Sequence, residues 1–312
     1  MVKRPSLSIS FPTYGRGDEF SKNLGELIKE ISSFDVAIFV SDDTPGDEIE
    51  NVVRSYEKMC GKLHYRRNVP KLGHDKNILS ALTWPDTDFV WLLGDSFRLD
   101  MDHIRPVLDV LNDQDFVFLN WQSDDLNHGL HLELDAAKKF LQQRIWHQAL
   151  TGATIYNRRV IDWAVKNKIQ IHRNFPQLSV ILGYAESKHF SLTWMGKSQL
   201  VSEPKPAPYW HQHAIDVFAF DWSAVIKSHP TIIPSSIRRT VIRSHSQHTD
   251  LFSLQFLRRQ RLLGNLRARV LLRSDFWRSM HLPMRTVLLV ALAPNWFFNG
   301  LRAIKRRLKG PI

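Results

Sequence analysis

The first 120 residues alternate short apolar runs with stretches of helical spacing, and this rhythm limits the folds that the chain can adopt. The five runs that read as strands are Leu7–Pro12, Val36–Val40, Leu63–Tyr65, Phe89–Leu93 and Phe116–Asn120. The helix-like stretches between them are Glu19–Ser32, Gly46–Met59, Leu72–Leu82 and His103–Leu111. Because strands joined by helical crossovers pair in parallel, the pattern predicts an α/β fold. Its mostly parallel sheet should carry helices on both faces.

The turn after the first predicted strand lacks the glycine spacing of dinucleotide-binding enzymes. The strand runs into Pro12-Thr13-Tyr14-Gly15-Arg16, which contains no GxGxxG pattern. A dehydrogenase-type fold is therefore disfavoured.

Acidic residues follow two of the predicted strands directly. Asp42 and Asp43 come after VAIFVS, and Asp95 comes after FVWLLG. In an open α/β sheet the carboxyl ends of the strands bind nucleotides. Carboxylates suit Mg²⁺ or Mn²⁺, which in turn neutralises a diphosphate. The pattern favours an enzyme that handles a nucleotide-activated substrate, although the same acids also fit turns and helix caps.

Charge is distributed unevenly along the chain. From Ile237 to the end there are 16 Lys and Arg residues and two acids, Asp250 and Asp275, so the basic character belongs to the tail. Such a tail can contact nucleic acid, an anionic membrane or only water. One cysteine, Cys60, excludes an internal disulfide and fits a reducing compartment. The N-terminus reads as the approach to a strand, so no signal peptide is expected.

The tail combines apolar and basic residues. Asp250–Arg273 has helical spacing, and Val287–Ala293 is an apolar run too short to span a membrane. An aromatic and basic cluster follows: Trp296, Phe297, Phe298, Arg302, Lys305, Arg306, Arg307 and Lys309. We expect this segment to lie in the headgroup region of an anionic membrane.

Four segments in order, LSISFPTYGR, VAIFVSDD, YRRNVPKLGHDKN and FVWLLGDS, resemble family 2 glycosyltransferases of the GT-A fold. Within that family they are most similar to bacterial O-antigen and surface-polysaccharide transferases, including the abequosyltransferase-like group. The resemblance covers residues 1–120 and continues weakly through TGATIYNRR.

The resemblance implies a nucleotide-sugar donor at the sheet edge. The positions that match the family's donor-binding motifs are Pro12, Thr13, Tyr14, Arg16, Asp42, Asp43, Asn68, Gly73, Asn77 and Asp95. Asp42 matches the carboxylate that accepts from the nucleobase, and Asp95 falls in the D-x-D region that holds a metal. Arg16, Arg66, Arg67 or Lys76 are candidates to balance the diphosphate charge.

Two departures from the family pattern leave alternatives open. Gly94-Asp95-Ser96 has one acid where relatives have two or three, so a divalent metal (Mg²⁺ or Mn²⁺) is implied while metal-independent transfer stays possible. The family's Glu-Asp pair, which often supplies the general base, is absent. Candidates for that base, by residue type alone, are Asp124, Asp125, His172, His211, His213 and Asp216. An inverting transfer needs such a base beside the acceptor hydroxyl, whereas a retaining one need not have it.

The sequence therefore predicts three regions. These are a nucleotide-sugar-binding half over residues 1–120, an acceptor-binding half over 121–235, and a basic amphipathic helical region over 236–312. The expected reaction is transfer of a hexosyl or deoxyhexosyl group to a lipid-linked saccharide, at the cytoplasmic face of the cell membrane. No nucleic-acid partner is expected. The alternatives are a nucleic-acid-binding protein that uses the arginine-rich tail and a non-catalytic GT-A-like scaffold.

Overall fold

The computed structural model describes residues 6–95, 97–99, 104–122, 128–198, 200–202 and 212–294. They fall into two compact units. The first lies within Met1–Lys205 and Ser228–Pro234, and the second within Pro206–Lys227 and Ser235–Ile312.

The strands of the first unit form two sheets. They are β1 (Leu7–Thr13), β2 (Val36–Asp42), β3 (Leu63–Arg67), β4 (Phe89–Leu92), β5 (Phe97–Leu99), β6 (Phe116–Asn120), β7 (Leu130–Glu133), β8 (Thr154–Asn157), β9 (Ser191–Ser198) and β10 (Leu200–Ser202). Eight of them make one sheet in the order β3-β2-β1-β4-β8-β6-β9-β7, and β5 pairs with β10. In the large sheet only β7 and β8 run against the other six strands. The predicted α/β fold with a mostly parallel sheet is confirmed.

Helices connect most of these strands. Those of the first unit are α1 (Gly17–Ile31), α2 (Glu48–Tyr56), α3 (His74–Thr83), α4 (Ile104–Val110), α5 (Leu134–Arg144), α6 (Arg158–Lys166) and α7 (Pro176–Ser187). All five strands and all four helices predicted within residues 1–120 form, with ends that differ by a few residues. The large sheet continues past residue 120 through β7, β8 and β9.

Strand β1 shows why both faces of the sheet are covered. Its residues alternate, so Ile9 packs with α1, α2 and α4 in one apolar core, whereas Ser10 faces α3. The Ser10 hydroxyl donates to the carbonyl of Ala81 on α3, 2.6 Å away, and thereby satisfies a polar group with no exposure to solvent. A strand buried on both faces occupies the centre of an α/β sheet.

The second unit is helical. It contains a π-helical stretch (Asp216–Asp221), α8 (Trp222–Lys227), α9 (Ser235–His248), α10 (Leu254–Leu262), α11 (Ala268–Leu271), α12 (Ser274–Ser279) and α13 (Met284–Leu292). The helical spacing expected across Asp250–Arg273 corresponds to two helices, α10 and α11. Gly264, with φ of 73°, follows the end of α10 and interrupts the helix there.

Helix α13 contains most of the apolar run that the sequence assigns to a membrane surface. Val287, Val290 and Ala291 are instead buried in the core of the second unit, while Leu289 and Leu292 are exposed. The aromatic and basic cluster from Trp296 to Lys309 lies outside the described residues. Among the helices that are described, none is long and apolar enough to cross a membrane.

Candidate active site

Strand β1 brings the two predicted acidic positions together. It pairs with β2 on one side, where Thr13 lies opposite Asp42, and with β4 on the other. The amide of Leu93, just past β4, donates to the carbonyl of Ser10. Asp42 and Asp95 therefore flank the carboxyl end of the same strand. The predicted convergence at one sheet edge is present.

Asp42 lies fully buried, and its carboxylate accepts three hydrogen bonds from the protein. Oδ1 accepts from the Thr44 amide at 2.8 Å and the Thr13 hydroxyl at 3.2 Å, and Oδ2 accepts from the Tyr65 hydroxyl at 2.9 Å. Burial, together with this bond, raises the pKa of Tyr65 to about 12. Tyr65 therefore keeps its proton and acts as a donor.

Asp43 holds the loop that follows β3. Its Oδ1 accepts from the Asn68 side chain at 2.8 Å and the Leu72 amide at 3.0 Å, and its Oδ2 accepts from the Gly73 amide at 2.6 Å. Gly73 has φ of 80° and ψ of 164°, a conformation that side chains rarely adopt. The carboxylate and the glycine together fix the path of residues 68–73.

Asn77, in the first turn of α3, ties this loop to β1. Its amide nitrogen donates to the carbonyl of Thr13 at 3.1 Å, and its oxygen accepts from Asn68 at 3.1 Å. The Asn68 amide donates in turn to the carbonyl of Asp42. Predicted residues from β1, β2, the loop and α3 thus form one connected hydrogen-bond network.

Arg16 connects the turn after β1 to Asp95. Its Nη1 lies 3.2 Å from Asp95 Oδ1, and Asn23 on α1 donates to the Asp95 carbonyl at 3.0 Å. Arg16 adopts a left-handed conformation (φ 63°) next to Gly15 (φ 68°), whose amide donates to the Thr44 hydroxyl. A non-glycine residue in this region is strained, and such strain is common at functional sites.

The other three basic candidates differ in their surroundings. Arg66 stacks over the Trp84 ring, with 4.4 Å from Cζ to the centroid. Arg67 bonds Asp47 at 2.8 Å, which helps to raise its pKa. Lys76 is exposed on α3. Arg16 is therefore the basic candidate in contact with the Asp95 carboxylate.

The remaining two predicted residues border the same turn. Pro12 is partly buried within β1. Tyr14 is exposed, with the Lys71 ammonium 5.5 Å from its ring centroid. A cavity of about 370 Å³ opens beside Arg16, lined also by Gly17, Asp18, Glu19, Glu48 and Val52. Exposed aromatic and basic groups thus adjoin the buried acidic network.

Asp95 could supply one carboxylate ligand to a divalent ion. Within the described ranges, no group of three or more His, Cys, Asp or Glu residues is arranged to hold a metal. Mg²⁺ and Mn²⁺ commonly use one or two carboxylates and take the rest of their oxygens from substrate phosphates and water. Since the guanidinium of Arg16 contacts Asp95 Oδ1, an ion bound at the same oxygen would compete with it.

The base candidates are dispersed. Asp124, Asp125 and His211 lie outside the described residues. His213 and Asp216 are exposed in the second unit. His172 lines a different cavity of the first unit. None of these three described residues takes part in the hydrogen-bond network around Asp42 and Asp43.

Sequence reasoning missed several buried polar residues of the first unit. Gln148 is fully buried, and neither the nitrogen nor the oxygen of its side-chain amide has a hydrogen-bond partner among the described residues. Gln177, on the first turn of α7, is 2% exposed and donates to the Ala149 carbonyl at 3.0 Å. In the sequence, a buried polar position of this kind is marked only by a glutamine among apolar residues, which is a weak signal.

The two arginines that end the motif TGATIYNRR have a structural role at the end of the strands opposite the candidate site. Arg159 contacts both Asp113 and Asp115, with 2.6 Å from Nε to Asp115 Oδ1. Arg158 donates to the carbonyl of Thr87 at 3.2 Å. Both arginines lie at the amino end of α6, where β8 has run back from the candidate site.

Comparisons with known proteins agree with the geometry. Residues 8–162 match the family model described as glycosyl transferase family 2. Over 115 residues the chain is 26% identical to the abequosyltransferase RfbV of Salmonella typhimurium, a match that covers 36% of this chain and 34% of that protein. The match thus spans about a third of the relative's length.

Solved structures share the fold across nearly the whole chain. A structure of Staphylococcus aureus TarS residues 1–349 has a TM-score of 0.58 at 13% identity and covers 95% of this chain and 92% of its own. The complex of that protein with UDP-GlcNAc has a TM-score of 0.55 at 12% identity, over the same shares of both chains. A mannosyltransferase of Pyrobaculum calidifontis, PcManGT, was solved with GDP-Man and Mn²⁺. It has a TM-score of 0.54 at 11% identity and covers 95% of this chain and 88% of its own. At these identities the likeness concerns the fold, and the predicted GT-A fold is confirmed.

Proposed function

Since residues 8–162 match the model of glycosyl transferase family 2, we propose that this chain moves a sugar from a nucleotide-sugar donor to a saccharide acceptor. The proposed setting is the synthesis of a bacterial surface polysaccharide or O-antigen. The partial match to an abequosyltransferase supports that setting and is consistent with hexosyl or deoxyhexosyl transfer. The nucleic-acid-binding and scaffold alternatives are not favoured by the family match.

One observation carries the proposal. Asp42 and Asp95 flank the carboxyl end of β1, and the short turn from Thr13 to Arg16 touches both of them. A nucleotide diphosphate at this edge would meet a nucleobase-binding side and a charge-balancing side within one site. The structural neighbours solved with UDP-GlcNAc and with GDP-Man support a donor of this class.

Arg16 is proposed to bind the donor diphosphate. Asp95 orients the guanidinium through Nη1, which leaves the other donors of the group available for phosphate oxygens. Charge that develops on the departing diphosphate would be stabilised by this fixed cation. Asp95 in this role is a positioning residue.

A divalent ion, Mg²⁺ or Mn²⁺, is part of the proposal as a second user of Asp95. When bound, it supplies charge neutralisation to the diphosphate. The neighbour solved with Mn²⁺ supports such a role in this fold. Because Arg16 and the ion need the same carboxylate, we expect them to compete in the absence of donor.

Asp42 is proposed to accept from the nucleobase. Two carboxylate oxygens offer about four acceptor positions, and three are used within the protein. The Tyr65 hydroxyl is the partner most easily displaced, because rotation of one side chain frees Oδ2. Asp43, Asn68, Gly73 and Asn77 would hold the loop beside the ribose and diphosphate.

The acceptor is proposed from the charge of the tail. We propose a lipid-linked saccharide as acceptor, with the basic tail in peripheral contact with an anionic membrane at its cytoplasmic face. The excess of arginine and lysine after Ile237 supports this, because basic segments are attracted to anionic lipid.

The test is a panel of nucleotide sugars, each incubated with the protein in the presence and absence of Mn²⁺, with release of free nucleotide as the readout. One or a few donors should be hydrolysed slowly. Arg16→Gln should abolish that release without lowering the melting temperature by more than a few degrees. The exposed Lys76→Gln serves as the matched control. Hydrolysis that survives Arg16→Gln unchanged would contradict the assignment.

A further inference from the structure

A second cavity of the first unit, of about 280 Å³, shares no lining residue with the donor site. It lies along α7, between that helix, the segment before it and the stretch that begins at Ser228. Its polar lining includes His172, Glu186, Ser228 and His229, and none of its lining residues is Lys or Arg.

Glu186 and His229 form a fixed pair in the wall of this cavity. His229 Nδ1 lies 2.9 Å from Glu186 Oε2, and the Thr231 amide donates to Oε1 at 2.9 Å. Burial acts to raise the pKa of Glu186, but the bonds from Thr231 and His229 outweigh it, so the pKa is lowered. The carboxylate is therefore ionised and accepts, and Nδ1 of the imidazole is the donor.

This pairing determines what the other ring nitrogen offers. With Nδ1 bonded to Glu186, Nε2 is the ring nitrogen left for another polar group. His229 is only 8% exposed, and Nε2 has no hydrogen-bond partner among the described residues. A buried polar atom normally has a partner, so this nitrogen points to a polar group that enters the cavity.

The second imidazole of the cavity, that of His172, is also held by a hydrogen bond. His172 Nε2 lies 2.9 Å from the Ser228 hydroxyl, and the two histidine rings are 5.8 Å apart between centroids. Burial, and then the proximity of His229, lower the pKa of His172, so its ring is neutral near pH 7. With no lysine or arginine in its lining, the cavity suits an uncharged ligand rather than a phosphate.

An aromatic face completes the lining. Trp163 is partly buried, and its ring meets Tyr184 edge-on at 5.3 Å between centroids. The indole packs against α7 at Gly183, where a Cβ would lie in ordinary van der Waals contact, 3.5 Å from Trp163 Cη2. The indole therefore lies close against α7, beside the polar groups.

We propose that this cavity binds one pyranose ring of a saccharide chain. A sugar has an apolar C–H face that packs on an indole and hydroxyls that can hydrogen-bond to His229 Nε2 as donor or acceptor. The volume is near the lower limit for small-molecule sites, which fits a single ring. The choice of a saccharide rests on the proposed function.

The test uses saturation-transfer NMR with the methyl glycosides of glucose, galactose, mannose and rhamnose, without any nucleotide. At least one glycoside should receive saturation. His229→Ala and Trp163→Ala should each weaken its binding at least tenfold. Trp163→Phe, which keeps a ring against α7, should weaken it less than Trp163→Ala and shows whether loss of folding is the cause. Asp95→Asn, in the donor site, should leave glycoside binding unchanged.

The outcomes separate this inference from the proposed function. No saturation of any glycoside, or binding unaffected by both His229→Ala and Trp163→Ala, would overturn it. Displacement of a bound glycoside by inorganic phosphate would also overturn it, because the cavity would then be an anion site. Glycoside binding by a protein that hydrolyses no nucleotide sugar would leave this site standing and reject the transferase assignment.

Discussion

Arg16 combines a left-handed backbone with an ion pair to Asp95, and both features concern the charge of the donor site. The guanidinium is 38% exposed, so the pair is weak by itself, on the order of 1 kcal/mol or less. A partner held this loosely can yield to a metal ion or to a diphosphate.

We expect Arg16→Ala to increase the affinity of the protein alone for Mn²⁺ by about twofold to fivefold, because the ion no longer competes with a guanidinium. Mn²⁺ electron paramagnetic resonance titration measures this without any donor. Lys76→Ala, which removes an exposed cation from α3, is the control and should change little. Equal Mn²⁺ affinity in wild type and Arg16→Ala would show that Asp95 is not shared.

Asp42 and Tyr65 form a second testable pair. Asp42→Asn should lower the free energy of unfolding by about 1–3 kcal/mol, because buried donors lose an anionic acceptor. It should also weaken the binding of free nucleotide in calorimetry. Tyr65→Phe removes the competing hydroxyl, so nucleotide should bind at least as tightly as to wild type. If both variants weaken binding equally, Tyr65 is itself part of the nucleotide site.

His245 makes the stability of the second unit depend on pH. The residue is buried between Phe218 and Trp222, and burial lowers its pKa to about 3 from an ordinary value of 6.5. The unfolded chain binds a proton below pH 6.5 that the folded chain rejects down to about pH 3. This group therefore lowers the unfolding free energy by about 1.4 kcal/mol per pH unit over that window as pH falls.

Replacement of His245 isolates this effect. His245→Leu places an apolar side chain at this buried position and removes the titratable imidazole. Denaturant unfolding at pH 6 and pH 5 should give a smaller loss of stability for the variant than for wild type. Identical losses would mean that other groups carry the acid sensitivity.

At the level of elements, helix α13 has one face in the core and one in solvent. Val287 is fully buried, whereas Leu289 is 71% exposed two residues later. Val287→Ala should lower the unfolding free energy by about 2 kcal/mol, while Leu289→Ala should stay within about 0.5 kcal/mol. Thermal or urea unfolding compares the two. A larger effect at Leu289 would mean that the exposed face is covered in solution.

The same level shows what a sequence can and cannot predict. The strands of the first 120 residues are compact apolar runs, so their existence and their shared edge could be predicted. Strand β7 could not be predicted, because its four residues, LHLE, are mostly exposed and do not form a buried apolar run. The placement of Asp42 followed from the pattern. Its three internal hydrogen bonds did not, because they depend on Thr44 and Tyr65 in space.

Arg16 illustrates the limit most clearly. Its chemical type marks it as a phosphate ligand, but its contact with Asp95, 79 residues away, arises from the left-handed turn after β1. His229 is a similar case: it meets Glu186 only because a short stretch of chain rejoins the first unit. Local spacing carries no information about either contact.

At the level of the whole molecule, the basic tail includes helices of the second unit and, beyond Pro294, the aromatic and basic cluster. Residues up to Ala291 contribute to the core of the second unit, so removal of α12 and α13 should unfold it. Truncation after Pro294 removes the aromatic and basic cluster and touches none of these buried residues. The truncated chain should keep a cooperative thermal unfolding transition and lose most of its binding to vesicles of phosphatidylglycerol and phosphatidylcholine. Undiminished binding would place the membrane contact before residue 295.

The return of residues 228–234 to the first unit has a consequence during translation. His229 bonds Glu186, and the Ile232 carbonyl accepts from Gln142, so this late segment completes a wall that earlier residues cannot build alone. We therefore expect the first unit to close fully only after this segment has left the ribosome. A gene fragment cut ahead of Ser228 should yield a product more prone to aggregation than one that ends after Pro234.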